Sequence, residues 1–305
     1  MLRFLIILFL FSGCQKKEPS WKGWMADTGK IKTLSTTAMI ADLVKEIGGD
    51  RIDSLTLIVG ELDPHSYELV KGDDEKMQRA DLIFYNGLGL EHGYALASAI
   101  AHSSKATAVG SKVQEIAPDR LLYIGGSVDP HIWMDLDLFT LTTYPIIDAL
   151  SSQDPQGASY YQQNGKKLRE KMEKLHREIR SKLQQIPSYK RYLITSHDAF
   201  QYFTRAYLAE EGEKGWMQRC CAPEGLAPEG QLSLSDIQRV LQYMKENGVG
   251  IIFSESNVSK DSLKKIVATA KGVKMAKKPL YGDACPEEGY FQMMEENANN
   301  LVEEL

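Results

Sequence analysis

Cysteine, blocks of like charge and long apolar runs are all scarce in this 305-residue chain. Four cysteines cannot form a disulfide scaffold for a fold of this size. Lys and Arg number 36 against 41 Asp and Glu, a net charge of -5 with no basic block, which argues against nucleic acid as a partner. The longest apolar run, Phe4 to Phe11, falls far short of the ~20 residues needed to cross a bilayer. Two catalytic signatures are missing as well. No His-Glu-x-x-His occurs, and Gly125-Gly126-Ser127-Val128-Asp129 fails the Gly-x-Ser-x-Gly elbow at its last position. A hydrophobic content of 43 % does suffice for two medium domains with cores.

What is present at the amino terminus reads as a targeting segment. Met1-Leu2-Arg3 supplies a short positive start to the apolar run. Ser12-Gly13-Cys14 follows it and resembles the bacterial lipobox. On that resemblance residues 1–13 are a lipoprotein signal peptide, and Cys14 carries the lipid that anchors an exported protein. Losing Arg3 with the peptide moves the net charge from -5 to -6. Residues 14–30 are polar, show no apolar period and are expected to form a tether. Cys220, Cys221 and Cys285 remain, either as inert thiols or with one bridge from Cys285 to the adjacent pair. Cys285 is also a candidate thiolate ligand.

From residue 31, short strand candidates alternate with helical segments. Ile31 to Ser35 precedes a helix through residues 39–47 that Gly48-Gly49 stops, and further strands are expected at 54–59 and 81–86. Such alternation argues for an α/β fold with a mostly parallel sheet. Residues 160–186 break the pattern. There Leu168, Met172, Leu175, Ile179, Leu183 and Ile186 are spaced by 4, 3, 4, 4 and 3 residues, one apolar stripe on a long helix. The α/β pattern resumes at Arg191. The expected fold class is therefore α/β with two lobes, residues 31–153 and 188–305, each a mostly parallel sheet flanked by helices. One connector helix within residues 154–187 joins them.

Asp-Pro-His occurs twice, at residues 63–65 and 129–131, and His197 stands in Thr195-Ser196-His197-Asp198. Each histidine follows a strand-like run, and so does Asp283. Ligands of open α/β sheets bind beyond the carboxyl ends of the strands. His65, His131, His197 and Asp283 are thus candidate ligands of one ion held between the lobes. Three imidazoles and a carboxylate suit Zn, Mn or Fe better than Ca or Cu(I). Asp63, Asp129, Asp135, Asp198 and Glu255 are candidate acceptors for the second ring nitrogens. His92, His102 and His176 read as surface or helix residues, His176 on the charged face of the connector.

These segments carry a resemblance. Asp-Pro-His-Ser-Tyr-Glu at 63–68, Tyr-Asn-Gly-Leu-Gly-Leu-Glu at 85–91, Asp-Pro-His-Ile-Trp-Met-Asp at 129–135 and Thr-Ser-His-Asp-Ala-Phe-Gln-Tyr-Phe at 195–203 are similar to motifs of the cluster A-I metal-binding receptors. These are the TroA-like extracytoplasmic zinc, manganese or iron lipoproteins of ABC importers. The resemblance implies His65, His131, His197 and Asp283 as ligands of one divalent transition metal ion. It also implies a rigid connector, small lobe movements, and delivery to a membrane permease from the periplasm or cell surface by a monomeric, non-enzymatic receptor. The His-rich acidic loop of many zinc members is absent here, and His197 stands where manganese members usually have a carboxylate. A mononuclear metal hydrolase and a surface adhesin are the competing readings.

Overall fold

The computed structural model describes residues 21–228 and 233–305. The expected signal peptide and Cys14 lie outside the described residues. Strand β1 (Ile31–Ser35) pairs in parallel with β2 (Ile52–Thr56) on one side and with β3 (Leu82–Tyr85) on the other. Strand β4 (Ala106–Ala108) extends the sheet to the order β2-β1-β3-β4. All of β1 but Ile31 is buried, as expected of a strand covered on both faces. The helix Ala38–Gly48 turns Met39, Ile40, Leu43, Val44 and Ile47 into the core, and Gly49, at φ +49, ends it as the sequence predicts.

A short antiparallel hairpin of β5 (Tyr123–Ile124) and β6 (Ser127–Val128) precedes the second Asp-Pro-His. Its turn is Gly125-Gly126, both at positive φ, a geometry that favours glycine at both positions. The carboxy-terminal lobe is built from shorter pieces. Strand β7 (Leu193–Ile194) pairs in parallel with β8 (Cys220–Cys221), and β9 (Ile251–Ile252) with β10 (Lys274–Met275). A hydrogen bond from Phe253 N to Ile194 O at 2.8 Å joins the two ladders. The sequence β8-β7-β9-β10 that results repeats the connectivity of the first sheet.

The long helix runs from Ala158 to Leu183, and its stripe of Leu168, Met172, Leu175, Ile179 and Leu183 is buried. Its neighbours differ from a linker's. The largest apolar cluster contains residues of both lobes together with this helix, from Met39 and Trp133 through Leu168 to Phe203, Tyr290 and Leu301. Two smaller clusters fill the outer sides, one around Leu34 and Ile83, the other around Ile194 and Ile252. The lobes therefore share their main core, where the sequence suggested separate ones.

Two expectations need correction, on the tether and on His176, and one open choice, on the cysteines, is decided. Residues 21–30 are no free tether: Trp24 is buried in a short helix (Trp21–Trp24), and its indole donates to Asp53 O at 2.9 Å. A single buried indole leaves no apolar period in the sequence. The three described cysteines are free thiols. His176 lies half-buried, with Nδ1 3.2 Å from the Tyr207 hydroxyl and 3.5 Å from Asp135.

Candidate metal centre

Both Asp-Pro-His segments use the aspartate to fold the loop. Asp63 accepts from His65 N at 2.8 Å and Asp129 from His131 N at 3.0 Å, turns that mimic a backbone turn two residues on. Asp129 does more, since the same oxygen also stands 2.7 Å from His131 Nδ1. That contact fixes the tautomer so that His131 Nε2 is the free nitrogen. His197 follows β7. Glu255, beyond β9, accepts from the backbone N–H groups of Ser196 and His197 at 2.8 and 2.9 Å. Its other oxygen is 2.8 Å from His197 Nδ1, without hydrogen-bond alignment. Of the five expected acceptors, only Asp129 and Glu255 face a ligand ring in this way. Asp63 serves backbone and Ser66, Asp135 caps the helix Leu136–Phe139, and Asp198 accepts from Gln201.

Asp283 sits beyond the bridge that pairs Glu255 with Leu280. Next to it, Gly282 packs its Cα against the Glu255 carboxylate, where a side chain would collide. The Gly282 carbonyl accepts from Trp133 Nε1 at 2.8 Å, which ties the Asp283 loop to the other lobe. Tyr202 makes the converse tie, accepting from Leu122 N and donating to Asp129 O, each at 3.0 Å.

The four side chains converge. His65, His131, His197 and Asp283 each offer an atom within 4.8 Å of the others, and all four residues are buried. His65 Nε2 is 3.2 Å from His131 Nε2 and 3.7 Å from Asp283 Oδ2. His131 Nε2 lies 3.4 Å from Asp283 Oδ1, and His197 Nε2 lies 3.1 Å from Asp283 Oδ2. A tetrahedral ion with bonds of ~2.0–2.1 Å needs ligand atoms about 3.3 Å apart. The observed spacings bracket that edge. His197 Nε2 and both Asp283 oxygens have no protein hydrogen-bond partner despite burial, a debt that a cation would settle.

Electrostatics divide the histidines. Burial pushes the His65 pKa down to about 3, with Asp283 opposing, so the ring is neutral. Burial also disfavours charge on His197, but Glu255 and Asp283 outweigh it and hold its pKa well above the ordinary value. Burial raises Asp283, yet the neighbouring imidazoles, His197 first, hold its carboxyl below the usual range. Cys285 stands outside the group. Its thiol is 3.6 Å from Met293 Sδ, and burial raises its pKa, so it is no thiolate ligand here.

The chain is similar to known metal-binding proteins. A family model described as zinc-uptake complex component A, periplasmic (ZnuA), matches residues 34–304. The metal-binding protein YtgA of Chlamydia muridarum is 41 % identical over 304 residues, 97 % of this chain and 91 % of that one. The manganese ABC transporter substrate-binding lipoprotein PsaA of Streptococcus mitis is 30 % identical, over 99 % of this chain and 97 % of its own. Among solved structures, Fe(III)-bound YtgA from Chlamydia trachomatis superposes with a TM-score of 0.87 at 40 % identity, covering 90 % of this chain and 98 % of that one. The periplasmic zinc-binding protein TroA from Treponema pallidum gives 0.80 at 28 %, covering 90 % and 99 %. With a match that spans nearly every described residue, the chain belongs to the ZnuA family, the extracytoplasmic metal-binding components of metal ABC transporters.

Proposed function

We propose that His65, His131, His197 and Asp283 hold one transition-metal ion, which the protein hands to the permease of an ABC importer. The observation that carries this reading is the set of four buried side chains whose donor atoms lie within 4.8 Å of one another, with both Asp283 oxygens lacking a protein partner. The protein acts as a receptor and not as a hydrolase. Catalytic zinc keeps three protein ligands and an open position for water, and Asp283 fills that position here. Lipid on Cys14 keeps the monomeric receptor at the membrane of the importer.

The donor set accepts Zn, Mn or Fe, and we place iron first. Three buried carboxylates, Asp283, Asp129 and Glu255, surround the site at or behind its ligands. Their formal charge balances a trivalent ion and leaves one negative charge around a divalent one. The Fe(III)-bound relative from Chlamydia trachomatis agrees with that preference.

Elemental analysis of protein purified without chelator, beside Asp283→Ala, tests the site. One metal ion per chain, held more weakly by the variant, is the expected result. Absence of metal in both, with none taken up on titration, overturns the reading. Competition among Zn(II), Mn(II) and Fe(III) at the loaded site then decides the ion.

A further inference from the structure

We infer that the loop of residues 86–93 is a clamp that sets the distance between His65 and His131, with Asn86 and Glu91 as its positioning residues. The inference rests on the four-ligand site proposed above. It arises from a motif, Asn86-Gly87-Leu88-Gly89-Leu90-Glu91, whose role the ligand set leaves unexplained.

The loop touches both histidine segments through hydrogen bonds to their backbones. At its start, Asn86 Nδ2 donates to Pro130 O at 2.9 Å, the carbonyl that lies between Asp129 and His131. At its end, His92 N and Gly93 N both donate to His65 O, at 3.3 and 3.1 Å. Two loops 66 residues apart in sequence, whose Nε2 atoms stand 3.2 Å from each other, are thus fastened to one short segment. Gly93 lies so close to Tyr67 O that a Cβ there would collide with it. A further tie runs back from the first loop, where Glu68 accepts from Tyr94 N and Ala95 N at 2.7 and 2.9 Å.

The loop is also held in an uncommon shape. Gly87, Leu88 and Gly89 have φ of +72, +56 and +85, and Leu88 is the single non-glycine at positive φ among the described residues. Such a conformation persists only where the surroundings over-determine it, and it concentrates at functional sites. The surroundings here are a buried carboxylate. Glu91 accepts from Asn86 N at 2.8 Å, from Gly87 N at 3.0 Å and from the Thr36 hydroxyl at 2.7 Å. It therefore closes the loop on itself and pins it to the end of β1. Asn86 O accepts in turn from Gly110 N at 2.9 Å, where a side chain on Gly110 would clash.

A packing-only loop would affect stability and leave the ligand geometry alone. The clamp predicts a change in the metal site itself. The probe is Co(II), whose visible absorption reports coordination geometry, titrated into the full chain and into the variants Asn86→Ala and Glu91→Gln. A third variant, Met244→Ala, lowers stability from the outer apolar cluster of the carboxy-terminal lobe and serves as control. Each clamp variant is expected to bind Co(II) about 10- to 100-fold more weakly than the native chain, the range typical of groups that orient metal ligands. Each is also expected to show an altered visible spectrum, while Met244→Ala keeps both affinity and spectrum.

If the clamp variants keep the native spectrum and lose no more affinity than Met244→Ala, the clamp is wrong and the four-ligand site stands. If one of the two does not fold, the other decides alone. If neither folds, the loop is a folding element and the positioning role is overturned. A native chain that takes up no Co(II) overturns the site and the clamp together.

Discussion

On the amino-terminal side of the site, His65 is fixed by its backbone and His131 by both backbone and Asp129, above a sheet with ladders of up to five paired residues. On the carboxy-terminal side, His197 extends from a ladder of only two paired residues and Asp283 from a single bridge, and the groups around them are charged. Glu255 faces one nitrogen of His197 and Asp283 the other. One half of the site is thus organised mainly by hydrogen bonds, the other by charges that still need a counter-ion. Rigidity and affinity are supplied from different lobes.

The largest effect should come from breaking the charged half. Structural zinc binds with roughly 10–16 kcal/mol spread over four ligands, or about 3 kcal/mol each, which is ~10²-fold in affinity. Asp283→Ala should exceed that, because it also leaves His197 facing Glu255 alone, whereas His65→Ala should fall near it. Calorimetric titration of both variants with one metal checks the order. Equal losses would remove the distinction between the halves.

Glu255→Gln and Asp129→Asn sharpen the same contrast one step out from the ligands. Each should weaken binding by ~10- to 100-fold. Glu255→Gln should be the worse of the two, since Glu255 also holds the Ser196 and His197 backbone N–H groups. Either variant should shift preference from Fe(III) toward divalent ions by removing one buried negative charge. Competition titrations read that shift directly.

Much of this was legible in the sequence, for local reasons. Ile31–Ser35 shows its strand through apolar content beside a helix with clear stop signals, and the connector shows its buried stripe through period alone. The two Asp-Pro-His segments and the Ser-His-Asp segment gave the histidines, and the structure brings them together with Asp283. What stayed hidden depends on distant partners. Trp24 meets Asp53 and Trp133 meets Gly282 across 29 and 149 residues, and no period marks such contacts. The segment 136–153 is divided into Leu136–Phe139, a 3-10 turn and Thr143–Gln153. Its helix-like apolar spacing runs through the 3-10 turn, so pattern alone does not show the break. The spacing puts His176 on the charged face because its partner Tyr207 comes from the other lobe.

Titration separates the halves further. A group with a depressed folded pKa, His65 at about 3, takes up a proton in the unfolded chain from ~6.5 downward and in the folded chain only near 3. It therefore costs the metal-free protein stability as pH falls below ~6.5. His197, with its folded pKa raised, does the opposite. Its contribution is complete below ~6.5 and is lost as pH rises toward its folded value, at up to ~1.4 kcal/mol per pH unit. For these two groups metal-free stability peaks near pH 6.5. His65→Gln should flatten the acid limb and His197→Gln the alkaline limb of melting temperature against pH. Metal binding must expel the His197 proton, so affinity should climb about tenfold per pH unit until the pH reaches the raised folded pKa of His197, and level off above it. Proton release measured in weak buffer would show it.

The smallest effect concerns what joins the halves when no ion is bound. Tyr290, on the terminal helix, donates its hydroxyl to the Trp133 carbonyl, and its ring is packed in the core shared by both lobes. Tyr290→Phe keeps the ring and removes the bond, which should cost about 1 kcal/mol of stability. If the shared core, and not this bond, sets how the lobes meet, the stabilisation gained from metal should be unchanged in the variant, since it depends only on affinity and free metal. Equal metal-induced rises in melting temperature for Tyr290→Phe and the native chain would place the inter-lobe geometry in the core. A smaller rise in the variant would mean that this single bond aligns the Trp133–Gly282 contact, and through it Asp283, with the histidines opposite.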